Sequence, residues 1–148
     1  MLTTSDLKWD LRTCNKVEME TIKFIGKIRS SLEDIKDCPL QEFEGGPQAT
    51  LVIEEEYREA MKGLRKGTRI LLFTWLDKGD RAVLTTRPRN NPDAALTGIF
   101  ATRSPDRPNP IGLHEVEIVE IPGNGEIRVS NLEVLNGTPL IDIKPVLQ

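Results

Sequence analysis

Between Phe100 and Gly112 the chain reads FATRSPDRPNPIG, three prolines and two arginines set between two apolar stretches. Arg103 and Arg107 stand four apart, and each carries a planar fork that suits a carboxylate or a phosphate. Pro105, Pro108 and Pro110 fix φ along the segment, which lowers the entropy of the free loop and holds its side chains in place. Asn109 adds an amide that both donates and accepts. Three further polar segments adjoin apolar runs: Cys38-Pro39-Leu40-Gln41, Asp77–Arg81 and the turn Asn136–Pro139. In a barrel, such connections can gather at one rim and form a pocket. Taken singly, each also has a plainer reading: an arginine paired with Asp106, an ordinary turn at Cys38–Gln41, a polar strand end at Asp77-Lys78, a core Trp75 and a structural or surface His114.

The inventory narrows the chemistry. Cys14 and Cys38 lack CxxC spacing and His114 is the only histidine, so no metal is expected and neither a zinc site nor a histidine triad can be built. No GxGxxG motif follows a strand-like run, which argues against a Rossmann fold. The 148 residues make one domain, 38% hydrophobic, and the net charge of −3 leaves a polyanionic partner to be decided by local patches. Neither a signal peptide nor an apolar run long enough to span a bilayer is evident, so a reduced, cytoplasmic setting and no membrane partner are expected.

The elements that must position these loops are short. Residues 1–20, with Leu7, Trp9 and Leu11 alternating against Lys8 and Asp10, are read as an extension of uncertain structure, and 21–148 as the domain. TIKFIGKIRS (Thr21–Ser30) is expected to be a strand with a bulge or close backbone approach at Gly26, and ATLVIEE (Ala49–Glu55) another. Glu56 to Lys66 is expected to be the one helix, with Tyr57, Ala60, Met61 and Leu64 as its apolar stripe and Gly67 as its stop. Its other face carries Arg58, Lys62, Arg65 and Lys66, either a solvated surface or a contact for an RNA backbone. RILLFTWL (Arg69–Leu76) is continuously apolar and is expected to be covered on both sides. AVLTT (Ala82–Thr86) and TGIFATR (Thr97–Arg103) are expected strands around the basic loop that holds Arg87 and Arg89. GLHEVEIVEI and EIRVSNLEVL flank Asn124-Gly125, the strongest short hairpin signal, and LIDIK closes the domain. Strands spaced by turns, with one short helix, long functional loops and no βαβ alternation, predict a mainly β, compact antiparallel fold, a β-barrel or a sandwich.

Taken together, GxFATRSPxRPNPIG at Gly98–Gly112 and NGTPLIDIKP at Asn136–Pro145 resemble the TsaA-like family, also called the TrmO or VirR/YaeB family. FIGKIRS, Cys38–Gln41 and FTWLDKGDR fall in the expected order, so the likeness runs from about Lys23 to Pro145. It implies a β-barrel that binds S-adenosylmethionine as a homodimer with the cofactor near the subunit interface. It implies methylation of N6 of threonylcarbamoyl-adenosine beside a tRNA anticodon, with tRNA rather than DNA as partner. Another RNA or a small metabolite as acceptor, or a cofactor- or RNA-binding module without turnover, are the alternatives. Carried over by position, the implied cofactor contacts are Pro39, Leu40, Gln41, Asp77, Lys78, Arg103, Leu113 and Asn136, Gly137, Thr138 and Pro139. RNA would be held by Arg58, Lys62, Arg65, Lys66, Arg87, Arg89 and Arg107. Asp142 is a candidate base beside a plainer reading as a strand-end acid. The chain departs from the family where Leu40 replaces a common arginine, where Asp77-Lys78 replaces a histidine-led pair, and where Asn136 replaces an aspartate. Longer members carry a C-terminal domain after the DIKP segment, so tRNA grip is expected here from other residues.

Overall fold

The computed structural model describes residues 20–34, 36 and 47–148. Six antiparallel strands close a barrel in the order β1 (Gly26–Arg29), β2 (Ala49–Ile53), β7 (Glu126–Val129), β6 (Ile111–Gly123), β3 (Arg69–Trp75) and β8 (Pro139–Pro145). A separate two-stranded flap, β4 (Thr85–Thr86) with β5 (Thr97–Gly98), is inserted between β3 and β6. The predicted barrel is therefore found.

Alternation along the strands builds the core. In β6, Gly112, His114, Val116 and Ile118 point inward while Ile111, Leu113, Glu115 and Glu117 point out. Ile28, Leu51, Leu72, Ile118, Ile127 and Leu140 are among the fully buried side chains, each stabilising the fold by about 1.5–3 kcal/mol. β3 alternates too: Ile70, Leu72 and Thr74 are buried, whereas Leu71, Phe73 and Trp75 are only partly covered. The expectation that this run is covered on both faces is thus corrected, because its outer face has no second layer within the described chain.

Topology sorts the connections between two ends. β1, β3 and β7 run toward one end, here the upper rim, and β2, β6 and β8 run away from it. Residues between β7 and β8 join strands three places apart in the ring of six, so the segment must cross the upper end. Leu132 and Val134 within it are buried in the core and plug that end. The segment between β2 and β3 crosses the lower end in the same way, with Tyr57, Met61 and Leu64 packed against the core.

That lower crossing was expected to be an α-helix and is instead a 3-10 helix over Glu55–Met61. Seven residues suffice to span the barrel mouth, and Gly63 at φ 96° then turns the chain back. Tyr57, Met61 and Leu64 face the core as expected, but Ala60 is exposed, and Arg58, Lys62 and Arg65 do not share one helical face. Two further expectations are corrected. The first strand begins at Gly26, leaving Ile22 and Phe24 exposed outside it. The stretch Thr97–Arg103 is strand only through Gly98, after which Ile99–Ala101 forms a 3-10 turn. The close approach expected at Gly26 is present, since a Cβ there would lie 2.2 Å from the Val52 carbonyl oxygen. Asn124 (φ 54°) and Gly125 (φ 77°) make the predicted hairpin between β6 and β7.

Candidate functional site

The upper rim receives the β3–β6 connection, the β7–β8 crossing and the described ends of the β1–β2 connection. The first of these is clamped onto itself. Gly79 lies so close to the proline loop that a Cβ there would stand 2.4 Å from the Pro105 carbonyl oxygen. The Asp80 amide donates to Asp106 Oδ1 at 2.8 Å. Arg81 donates from Nε to the Pro108 carbonyl at 2.7 Å and from Nη2 to Asn109 Oδ1 at 3.3 Å, while its guanidinium lies 5.4 Å from the centre of the Trp75 ring. These ties hold the turn with Asp77 and Lys78 against the loop with Arg103. All three side chains are exposed and make no hydrogen bond or ion pair among the described residues. They offer a carboxylate, an ammonium and a guanidinium on a stiff base.

The turn Asn136–Pro139 opens β8, whose Leu140 is paired with Thr74 near the top of β3. Gly137 adopts φ 84° and its amide donates to the Ile28 carbonyl at 2.7 Å. Thr138 is buried, with its hydroxyl on the Leu135 carbonyl at 2.7 Å. Asn136 accepts from the Ser30 amide through Oδ1 at 3.1 Å and donates from Nδ2 to Glu33 Oε1 at 3.1 Å. It therefore ties the β1–β2 connection to the upper crossing. Pro39, Leu40 and Gln41 lie outside the described residues.

Leu113 sits on the outer wall of β6 opposite Phe73, two pairs below Ile111 and Trp75 and on the same face. Together these four side chains make an apolar strip just beneath the rim. Asp142 is also on the outer wall, paired with Phe73 in register and bonded to Lys144 at 3.0 Å. It is therefore a strand acid on the outer wall, level with Phe73 and Leu113 just beneath the rim.

The candidate RNA contacts separate. Arg58, Lys62, Arg65 and Lys66 are exposed on the lower crossing, at the opposite end of the barrel from the rim loops. Arg87 and Arg89 are exposed on the flap, where Arg87 closes the tip by bonding the Ala94 carbonyl. Arg107 is half-buried and donates to the Ile99 and Thr102 carbonyls at 2.7 and 2.9 Å, so it braces the loop from within.

Sequence reasoning passed over two features. Arg81 is the main clamp, yet nothing in its spacing marked it. His114 is buried inside the barrel with Nε2 2.9 Å from Thr74 Oγ1, directly beneath Gly112, and the inward parity of β6 was the available signal. No group of three His, Cys, Asp or Glu side chains among the described residues is placed to hold a metal.

Comparison with known proteins supplies the lineage. Residues 27–148 match the family described as the tRNA-methyltransferase O N-terminal domain. The chain belongs to that family. A relative from Rhizobium radiobacter, the probable S-adenosyl-L-methionine-binding protein VirR, is 40% identical over 122 residues, which cover 82% of this chain and 68% of that one. A probable S-adenosyl-L-methionine-binding protein from Methanothermobacter thermautotrophicus is 39% identical over 125 residues, 84% of this chain and 88% of that one. Among solved structures, TrmO from Pseudomonas aeruginosa superposes with TM-score 0.66 at 27% identity, covering 86% of this chain and 56% of its own. A second TrmO structure gives TM-score 0.69 at 30% identity, covering 86% and 57%. The chain thus spans little more than half the length of these TrmO structures.

Proposed function

We propose that this chain is an S-adenosylmethionine-dependent methyltransferase that modifies tRNA in the cytoplasm, with N6 of threonylcarbamoyl-adenosine beside the anticodon as acceptor. The observation that carries the reading is the clamped pair of rim loops presenting Asp77, Lys78 and Arg103 unpartnered among the described residues, in a family whose relatives are named for binding this cofactor. The donor set fits the group. Arg103 suits the amino-acid carboxylate, Asp77 the ammonium or the ribose hydroxyls, and the strip of Leu113 and Ile111 an apolar ring face. Pro39 to Gln41 and Asn136 to Pro139 complete the proposed contact set.

When bound, the cofactor supplies a methyl group on a sulfonium, so orientation and exclusion of water are what the protein must add. The Arg81 clamp fixes the distance between the Asp77 turn and Arg103, and Pro105 and Pro108 keep that distance from fluctuating. The outer strip then gives the reading its quaternary form, a homodimer whose partner covers Phe73, Trp75, Ile111 and Leu113 and closes the site to water.

Purified protein incubated with methyl-labelled cofactor and fractionated total tRNA tests the proposal, with label expected in a single isoacceptor group at N6 of the hypermodified adenosine. Label in another RNA or a small metabolite would move the acceptor while keeping the enzyme. A cofactor-binding module without turnover is the second reading, favoured by relatives whose names speak only of binding. Calorimetric binding with no methyl incorporation into any fraction selects it.

A further inference from the structure

Phe100 is 86% exposed, yet the turn that carries it is firmly anchored. Ile99 before it is buried and its amide donates to the Leu84 carbonyl of the flap at 2.9 Å. Arg107 reaches from the proline loop to the carbonyls of Ile99 and Thr102, and the Thr102 hydroxyl bonds the Ile99 carbonyl at 2.9 Å. A large aromatic ring is thus held out into solvent on a mount with little freedom, which is how a stacking platform avoids an entropic cost on binding.

The surroundings say what such a platform meets. Residues 82–110 hold four arginines and two aspartates, a net +2 in a chain of net −3, and Asp106 already accepts from the Asp80 amide. The lower crossing, by contrast, balances four acids against four bases over residues 54–68. The local excess of positive charge is therefore on the rim insertion that carries the exposed ring. An exposed aromatic face on a positively charged insertion is the surface that holds an unpaired base, stacking the ring and pairing the flanking phosphates.

We propose that Phe100 is a stacking platform for an unpaired nucleobase of the RNA substrate, with the flap arginines Arg87 and Arg89 on the adjoining phosphates. This rests on RNA being the methyl acceptor. It adds that the RNA presents an unpaired base to the rim, since a base inside a duplex offers no free face.

The test uses a labelled RNA hairpin with an unpaired loop and a fully paired RNA duplex of equal length, titrated into the whole chain by fluorescence anisotropy. Phe100→Ala is expected to weaken hairpin binding roughly ten- to a hundred-fold and to leave duplex binding unchanged. Phe100→Trp is expected to restore the hairpin affinity. Cofactor affinity by calorimetry and mass by light scattering are expected to stay as in the unaltered chain. Equal hairpin affinity in Phe100→Ala overturns the platform, as does no loop preference in the unaltered chain. A fall in mass in Phe100→Ala also overturns it, by showing that the ring packs on a second copy. Because cofactor binding is read separately, its absence would unseat the methyltransferase reading, whereas RNA binding without a loop preference would unseat the stacking alone.

Discussion

Two kinds of residue sit at the upper end of the barrel, and they answer to different measurements. Asp77 and Arg103 hold nothing else among the described residues, so replacing them should alter binding and spare the fold. A charge-assisted hydrogen bond contributes about 1.5–3 kcal/mol, so Arg103→Ala and Asp77→Asn are each expected to raise the calorimetric Kd for S-adenosylmethionine roughly ten- to a hundred-fold. Their melting temperatures should match the unaltered protein, and unchanged affinity in both would place the cofactor elsewhere. Gly112 behaves in the opposite way. A Cβ there would stand 2.3 Å from Thr74 Oγ1 and 2.7 Å from His114 Nε2, inside a filled barrel. Gly112→Ala is expected to destabilise the fold by about 1–3 kcal/mol, read as a lower Tm by circular dichroism. Adding Thr74→Ala removes the nearer atom, so the double variant should recover part of the loss; strict additivity would deny that the two positions compete for one space.

At the scale of elements, the unit that matters is the pair of loops joined by Arg81. Arg81→Ala removes two hydrogen bonds and the contact over Trp75. It is expected to speed amide exchange in 77–81 and 103–110 and to weaken cofactor binding several-fold, with little effect on strand protection. If exchange in those loops did not change, the Gly79–Pro105 packing alone would account for their order. Much of the element layout was legible beforehand. Alternation exposed β6, and Asn124-Gly125 announced the hairpin because two consecutive positive φ values favour those residue types. That the proline loop and the Asn136–Pro139 turn can share one rim was raised from the residues, and their joint role as cofactor contacts came from the family resemblance. The lower crossing was misread because its apolar spacing fits an α-helix and a 3-10 plug alike, and only the width of the barrel mouth chooses between them. Phe100 was read into a strand because TGIFATR has strand composition, whereas the bonds from Arg107 and Thr102 that turn the backbone are long-range or local polar ties that composition does not register. Arg81 was invisible for the same reason, since its partners lie 27 and 28 residues away.

For the whole molecule, the distribution of apolar and charged surface governs what it meets. The strip of Phe73, Trp75, Ile111 and Leu113, with the exposed Ile22 and Phe24, is apolar surface that a second copy would cover. Light scattering at micromolar concentration should therefore give twice the chain mass, and Leu113→Glu should return it to one; a monomer mass in the unaltered protein would refute the homodimer. The RNA surface has two candidate seats at opposite ends, separated by a strand of seven residues, roughly 20–25 Å. Phosphate contacts are reported by the salt dependence of binding, each one lost lowering the slope of log K against log salt by about 0.7–0.9. The flap carries net positive charge and adjoins the proposed site, whereas the bases of the lower crossing stand among Glu54, Glu55, Glu56 and Glu59. Reversing Arg87 and Arg89 to Glu is thus expected to weaken binding of both full-length tRNA and a short hairpin and to flatten both salt slopes. Reversing Lys62 and Arg65 to Glu is expected to weaken full-length tRNA alone, because only a long RNA seated on the flap extends to the far end. A lower-end variant that loses the hairpin while the flap variant keeps it would put the RNA seat on the lower crossing. The methyl acceptor would then have to reach the rim from the opposite end of the barrel.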